Sequence, residues 1–172
     1  MKGDSTWRLA GLPATGPAPR LRGKMRLFGQ FVGSWDITER RVPGFRGSTG
    51  TGEVHFNWIL DGRAIQDVWG MIDPATQRLV PVGTTIRYYD PSLRAWRSTW
   101  LSPLQGVVRR FIGRKVGDEI VLKEENRGRR TERWIFADIR PDSFRWYAVR
   151  RLRARGEWRT IEEMILRRRA AT

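Results

Sequence analysis

The chain has 172 residues and carries 33 Lys and Arg against 18 Asp and Glu, a net charge of +15. That length suits one domain with a sizeable core. The absence of cysteine excludes disulfides, thiol nucleophiles, iron–sulfur clusters and thiolate zinc sites, and a lone histidine, His55, is read as excluding both two-histidine metal chemistry and a catalytic triad.

Residues 1–20 are rich in Gly, Pro and Ala, with Trp7 the one large anchor, and read as a flexible N-terminal arm. The first residues contain no continuous apolar run of the kind a secretory signal needs, and nothing in the chain approaches the length of a membrane span. The expected location is therefore cytoplasmic. Residues 21–172 form the single folded domain. Across 21–31, Met25, Phe28 and Val32 recur at helical spacing and predict a short helix.

From Ser34 the pattern changes to short β-branched and aromatic runs divided by turn residues. Strands are predicted over 34–42, 51–60, 63–72, 80–89, 94–102, 106–116, 119–126, 131–139, 143–152 and 157–168. Asp61-Gly62 and Gly117-Asp118 suit tight hairpins, Asp73-Pro74 and Asp90-Pro91 start turns, and Pro141-Asp142 breaks a strand pair. About ten hairpin-linked strands imply an all-β antiparallel meander, and a meander this long removes its edges by closing into a barrel. The Gly-rich link over 42–52, with Phe45, either shapes the barrel mouth or is a plain loop.

The opening of the first strand, Gly33-Ser34-Trp35, and the later order NWILDGRAIQDVW, GTTIRYYDP, RWIFADI, DSFRWYAV and TIEEMILRRR resemble bacterial calycin-like barrels of unassigned function, relatives of the lipocalins, fatty-acid-binding proteins and nitrobindin-like barrels. The resemblance runs over about residues 28–169 and implies a small-ligand barrel. It also implies that Trp35 plugs the closed end under an arginine of the last strand, Arg167 or Arg168. Nitrobindin-like barrels bind haem through a late histidine. This chain has none after His55, so no cofactor is expected.

Hairpin registers then nominate the interior. If Leu60 pairs with Arg63, then Val54, Phe56, Trp58, Ile65, Trp69 and Met71 share a face with Asp67, and His55 joins Glu53, Asn57 and Gln66 on the wettable face. Pairing Tyr88 with Trp96 and Thr84 with Trp100 builds a second aromatic face. Glu124 joins Phe111, Gly113, Ile120 and Leu122 on a third, and Glu163 joins Phe144, Trp146, Ile161 and Ile165 on a fourth. A carboxylate among apolar neighbours is paired, protonated or used. Arg109, Arg97 and Arg110 are the candidate partners for Asp67, Glu124 and Glu163.

The leading functional expectation is a binder of a small, mostly apolar or aromatic molecule, with or without an anionic head. Trp58, Trp69, Trp96, Trp100, Trp134, Trp146 and Phe56 would form the wall, with Arg97, Arg110 and Glu124 at polar positions. The alternative is a cofactor-independent cyclase, isomerase or hydratase with Asp67 or Glu163 as acid or base and Tyr88 or Tyr147 as relay. Nucleic acid ranks third as a partner, because the arginines are spread over most strands rather than gathered on one element. Homo-oligomerisation is left open.

Overall fold

The computed structural model describes residues 14–44, 50–125, 131–151 and 156–170. A 3₁₀ turn over Pro19–Leu21 leads into helix α1, Arg22–Gly29. Ten strands follow: β1 Gly33–Arg41, β2 Gly52–Ile59, β3 Ala64–Ile72, β4 Leu79–Asp90, β5 Ala95–Ser102, β6 Val107–Val116, β7 Glu119–Glu124, β8 Thr131–Ala137, β9 Ser143–Arg151 and β10 Arg159–Arg168. Each pairs antiparallel with its neighbours in sequence, and β1 also pairs with β10, so the meander closes into a barrel without free edges. The predicted strands agree with these bounds to within two residues, because Gly, Pro and Asp clusters set most ends.

Helix α1 plugs one end. Its spacing of Met25 and Phe28 turns both residues inward, where they are fully buried. Phe28 meets Trp96 edge-on with centroids 4.9 Å apart and Phe136 at 5.7 Å. Phe31 and Trp35 both stand edge-on to Phe144 at 4.7 Å. Burying each of these rings is worth about 2–3 kcal/mol, so the plug is a principal source of stability.

Trp35 occupies the position expected of it. Its indole N–H donates to the Phe31 carbonyl at 2.7 Å, and the Arg168 guanidinium covers its ring at 4.1 Å. Arg167, the other candidate, faces outward and is exposed. The expected arm falls partly outside the described residues, Trp7 included. Its described portion is tied to the barrel: Ala14 N–H donates to the Trp58 carbonyl at 2.9 Å and Ala18 N–H to the Gly62 carbonyl at 3.0 Å.

The β2–β3 register is the expected one, with Trp58 opposite Ile65 and Phe56 opposite Asp67. Its link is four residues rather than a two-residue turn: Leu60, Asp61 and Gly62 all take positive φ before Ala64 resumes pairing with Ile59. The β6–β7 register also matches, with Phe111 opposite Glu124 and Gly113 opposite Leu122.

Two hairpins differ from the sequence expectation by one residue, and each difference has a local cause. Between β4 and β5 the link is Pro91–Arg94, wound by an Asx turn in which Ser92 and Leu93 N–H donate to Asp90 Oδ1, with Arg94 at φ 49°. Tyr88 therefore pairs with Arg97 rather than Trp96. Between β9 and β10 a bulge at Ile161 shifts the register, so Trp146 faces Met164 and not an odd-numbered residue.

Candidate functional site

With α1 closing one end, the strand ends at Arg41 and Gly52, Ser102 and Val107, Glu124 and Thr131, and Arg151 and Arg159 rim the other. Toward that rim the interior holds a cavity of about 210 Å³. Alternation along the strands sends the lining side chains inward. They are Val54 and Phe56 from β2, Asp67 and Trp69 from β3, Thr85 and Arg87 from β4, Trp100 from β5 and Arg109 from β6. The far wall is Glu132, Trp134 and Phe136 from β8, Phe144, Trp146 and Arg150 from β9, and Ile161, Glu162, Met164 and Leu166 from β10.

Four tryptophans make most of the flat apolar surface. Trp134 is the hub: its ring lies 5.9 Å from Trp100, 5.4 Å from Trp146 and 4.2 Å from Phe111, and Trp100 lies 5.7 Å from Trp69. Each leaves an aromatic face or edge against which a planar guest can pack.

The polar groups fall into two sets. Deep in the barrel, Asp67 and Arg87 form a buried ion pair with only 6% and 3% of their side-chain surfaces exposed. Burial pushes the Asp67 carboxyl up, while the Arg87 charge and the Arg87 and Thr85 hydrogen bonds pull it back. The guanidinium carbon of Arg87 also lies 5.3, 5.6 and 5.7 Å from the Phe28, Phe56 and Phe136 ring centroids. This cation is thus held by one carboxylate and three π faces.

Nearer the rim, Glu132 stands opposite Arg150 in the β8–β9 ladder and accepts from its Nε at 3.1 Å and its Nη2 at 2.9 Å. The same carboxylate accepts from Trp134 Nε1 at 3.0 Å and from Arg109 Nη1. Burial acts to raise the Glu132 carboxyl, but the indole N–H and the two guanidiniums outweigh it and hold the group below the ordinary glutamate range. Arg109 also lies 3.9 Å from Glu124, and Glu162 is bridged at 2.7 Å by Arg40 of β1.

The sequence candidates separate cleanly against this geometry. Asp67, Phe56, Trp69, Trp100, Trp134, Trp146 and Arg109 line the cavity together. Glu124 points inward beside Arg109 but does not line it. Trp96 is buried in the plug, and Trp58 packs against Gly29 of α1, where an added Cβ would meet its ring at 2.5 Å. Neither touches the cavity.

Tyr88, Arg97, Arg110 and Glu163 face outward, which corrects their expected inward placement. The one-residue register differences at β4–β5 and β9–β10 turn Tyr88 and Glu163 out, while Arg97 alternates with inward Trp96 and Ser98, and Arg110 with inward Arg109. Tyr88 is exposed, Arg97 bonds Asp90 at 2.7 Å and Glu163 sits 3.4 Å from Arg145. Tyr147 also lies outside, its hydroxyl donating to Glu119 at 3.1 Å. The true partner of Asp67 is Arg87, not Arg109, Arg97 or Arg110. Phe45 lies outside the described residues.

Arg87, Glu132, Arg150 and Glu162 escaped sequence reasoning. Arg87 sits between Ile86 and Tyr88, whose apolar character draws the alternation onto the wrong phase. The spacing Glu132-Trp134-Phe136 was the available signal for Glu132, since alternate residues of one strand share a face.

His55 lies on the outer face as expected, sharing hydrogen bonds with Glu53 at 2.8 Å and Ser34 at 2.9 Å. One histidine does suffice for a Ser–His–Glu chain, contrary to the sequence argument. This one stands on an outward strand face away from the cavity, and Arg169 also binds its carboxylate at 2.7 Å. Among the described residues no cluster of His, Asp and Glu has the makings of a metal site, and no helix is long and apolar enough to cross a membrane.

No protein-family model and no curated protein matches the chain. Solved structures do. An S-type phycobiliprotein lyase, CPES, from Guillardia theta matches with a TM-score of 0.56 at 12% identity over 86% of this chain and 93% of that one. Rv2717c from M. tuberculosis matches with a TM-score of 0.58 at 16% identity over 90% of this chain and 99% of that one. At such identities the likeness shows the fold alone, a closed ten-stranded antiparallel β-barrel.

Proposed function

We propose that the barrel binds a small, flat, mostly apolar molecule that carries an anionic group at one end. The observation that supports this most directly is the pairing, in one cavity, of the Trp69, Trp100, Trp134 and Trp146 wall with two guanidiniums fixed on Glu132. A guanidinium has five N–H donors, more than those bonds consume, so Arg109 and Arg150 retain capacity for an oxyanion while Glu132 holds them in place. The tryptophans supply stacking area for the body of the guest. That a barrel of this fold is a phycobiliprotein lyase in Guillardia theta is consistent with an interior put to use, and it carries no substrate over to this chain.

The test is direct. Native mass spectrometry against the denatured mass reports any molecule retained through purification, and titration with 2-naphthoate reports binding through the intrinsic tryptophan fluorescence. Saturable quenching, weakened in Arg150→Ala, is the expected result. Absence of both a retained molecule and saturable quenching overturns the proposal.

A second reading rests on Asp67. It lines the same cavity with its carboxyl pushed up by burial, which suits proton transfer in a cofactor-independent reaction on the bound molecule. Of the two acid–base candidates in the sequence, Asp67 and Glu163, Asp67 alone lines the cavity.

A further inference from the structure

Basic residues that the sequence scatters over separate strands become neighbours once the barrel closes. Strands β6, β7, β8 and β9 are consecutive in it. Alternation with the inward residues Arg109, Leu122, Trp134 and Arg150 turns Arg110, Lys123, Arg133 and Arg151 outward, one cation from each strand. Lys123 stands directly opposite Arg133, and Arg133 faces Val149, two residues before Arg151. Arg110 stands two residues before Ile112, the partner of Lys123 on β6. Neighbouring strands lie about 4.8 Å apart and alternate residues of one strand about 7 Å apart, so the four form a band around the girth.

Among the described residues none of the four has a carboxylate at ion-pair distance, and Glu125, just past β7, is engaged by Arg97 at 3.6 Å. The opposite side of the barrel is balanced: Asp36, Glu39 and Glu53, outward on β1 and β2, hold Arg169 and Arg41. Two of the band's cations are also held in place. The Arg133 and Arg151 guanidiniums both pack on the Trp158 ring, 4.1 and 4.7 Å from its centroid. A guanidinium stacked on an aromatic face keeps its in-plane N–H donors for an oxyanion.

The shape of this face selects the partner. It is the convex outside of a barrel, so it cannot enclose a small anion. Because the cations follow the girth, a flat bilayer or a straight duplex would reach only part of the band, whereas a flexible chain of anions can bend along it. Planar N–H forks suit phosphodiester oxygens. We infer that the outer face of β6–β9 binds single-stranded nucleic acid through its phosphates, without reading base sequence. The site is separate from the cavity and does not rest on the binding function proposed above.

Fluorescence anisotropy of a labelled oligothymidylate of about 20 nucleotides, followed across a salt series, tests the assignment. Four phosphate contacts give an expected slope of log K against log salt of about −3. Arg110→Gln with Lys123→Gln, both exposed, should flatten the slope to about −1.5 and weaken binding by about tenfold at about 0.1 M salt. Arg22→Gln with Arg26→Gln removes the same charge from exposed positions of α1 and should leave the slope unchanged. Equal losses in the two double variants would trace binding to net charge and overturn the assigned face. Tighter binding of polyglutamate of matched charge, or of phosphatidylserine vesicles, would make the partner an acidic chain or a membrane and overturn the nucleic-acid assignment. Absence of saturable oligonucleotide binding at low salt would overturn it outright.

Discussion

Arg168 lies over Trp35 with its guanidinium 4.1 Å from the indole ring, and its three nitrogen positions donate to the carbonyls of Pro141, Val32 and Gln30 at 2.7, 2.9 and 2.7 Å. One side chain of the last strand thereby ties the β8–β9 link, the helix exit and the first strand. Arg168→Ala is expected to lower stability by about 2 kcal/mol, a fall in Tm of about 4–8 °C, while leaving binding of 2-naphthoate at the other end unchanged. Thermal unfolding by circular dichroism reads the first effect. A Tm within a degree of wild type would show that the clasp is ornamental.

Asp67→Asn keeps the shape of the side chain but leaves Arg87 as an unpaired buried cation. A loss of about 3 kcal/mol is expected by denaturant titration, largely restored in the double variant Asp67→Leu with Arg87→Met, which removes both charges. Affinity for 2-naphthoate should stay within a few-fold. If a substrate is identified and the Asn variant turns it over normally, Asp67 is not the proton-transfer group.

Glu132 sets part of the acid limit. Its folded carboxyl is held below the ordinary glutamate value, so its stabilising contribution is complete above about pH 4.3 and is lost as the pH falls through the lower folded value. In Glu132→Gln the fall of stability with decreasing pH should be shallower, and the variant should be less stable than wild type at neutral pH because Arg109 and Arg150 lose their shared carboxylate. An unchanged acid slope would assign that slope to other carboxylates, Glu53 among them.

Trp146→Leu retains an apolar residue on a half-buried position of the cavity wall. A drop of about tenfold in 2-naphthoate affinity is expected, with a small change in Tm. Equal affinity would place the guest elsewhere.

Gly62 has φ +72°, and a Cβ there would strike the Gly16 carbonyl oxygen and lie 2.5 Å from the Ala18 nitrogen. Gly62→Ala should cost about 1–3 kcal/mol and speed proteolysis within 14–18, where the chain is laid against this turn. Limited proteolysis followed by mass spectrometry shows whether that segment is displaced.

Strand bounds and the closed meander were legible because turn residues punctuate the chain and because period-two alternation is a local property. Inward and outward assignment was legible where the link hides no register surprise, as between β2 and β3 and between β6 and β7. It failed where a four-residue Asx-turn link at Asp90 or a bulge at Ile161 moved the register by one, since a single step exchanges the two faces of a strand. Asp67 was readable as a misfit among aromatics. Arg87 was not, because its partner lies 20 residues away on another strand and its neighbours Ile86 and Tyr88 are more apolar than it is.

The cavity lining carries Arg87, Arg109 and Arg150 against Asp67, Glu132 and Glu162, an even count, inside a chain whose sum is +15. Attraction and retention are therefore handled by different charges. The outer field draws anions toward the barrel from a distance and is weakened by salt, so association should slow steeply as ionic strength rises. Once inside, a guest meets compensated pairs at short range, where screening matters little, and its residence time should scarcely change with salt. Such a protein hastens arrival without tightening its hold, leaving the choice among arriving anions to stacking and hydrogen bonds.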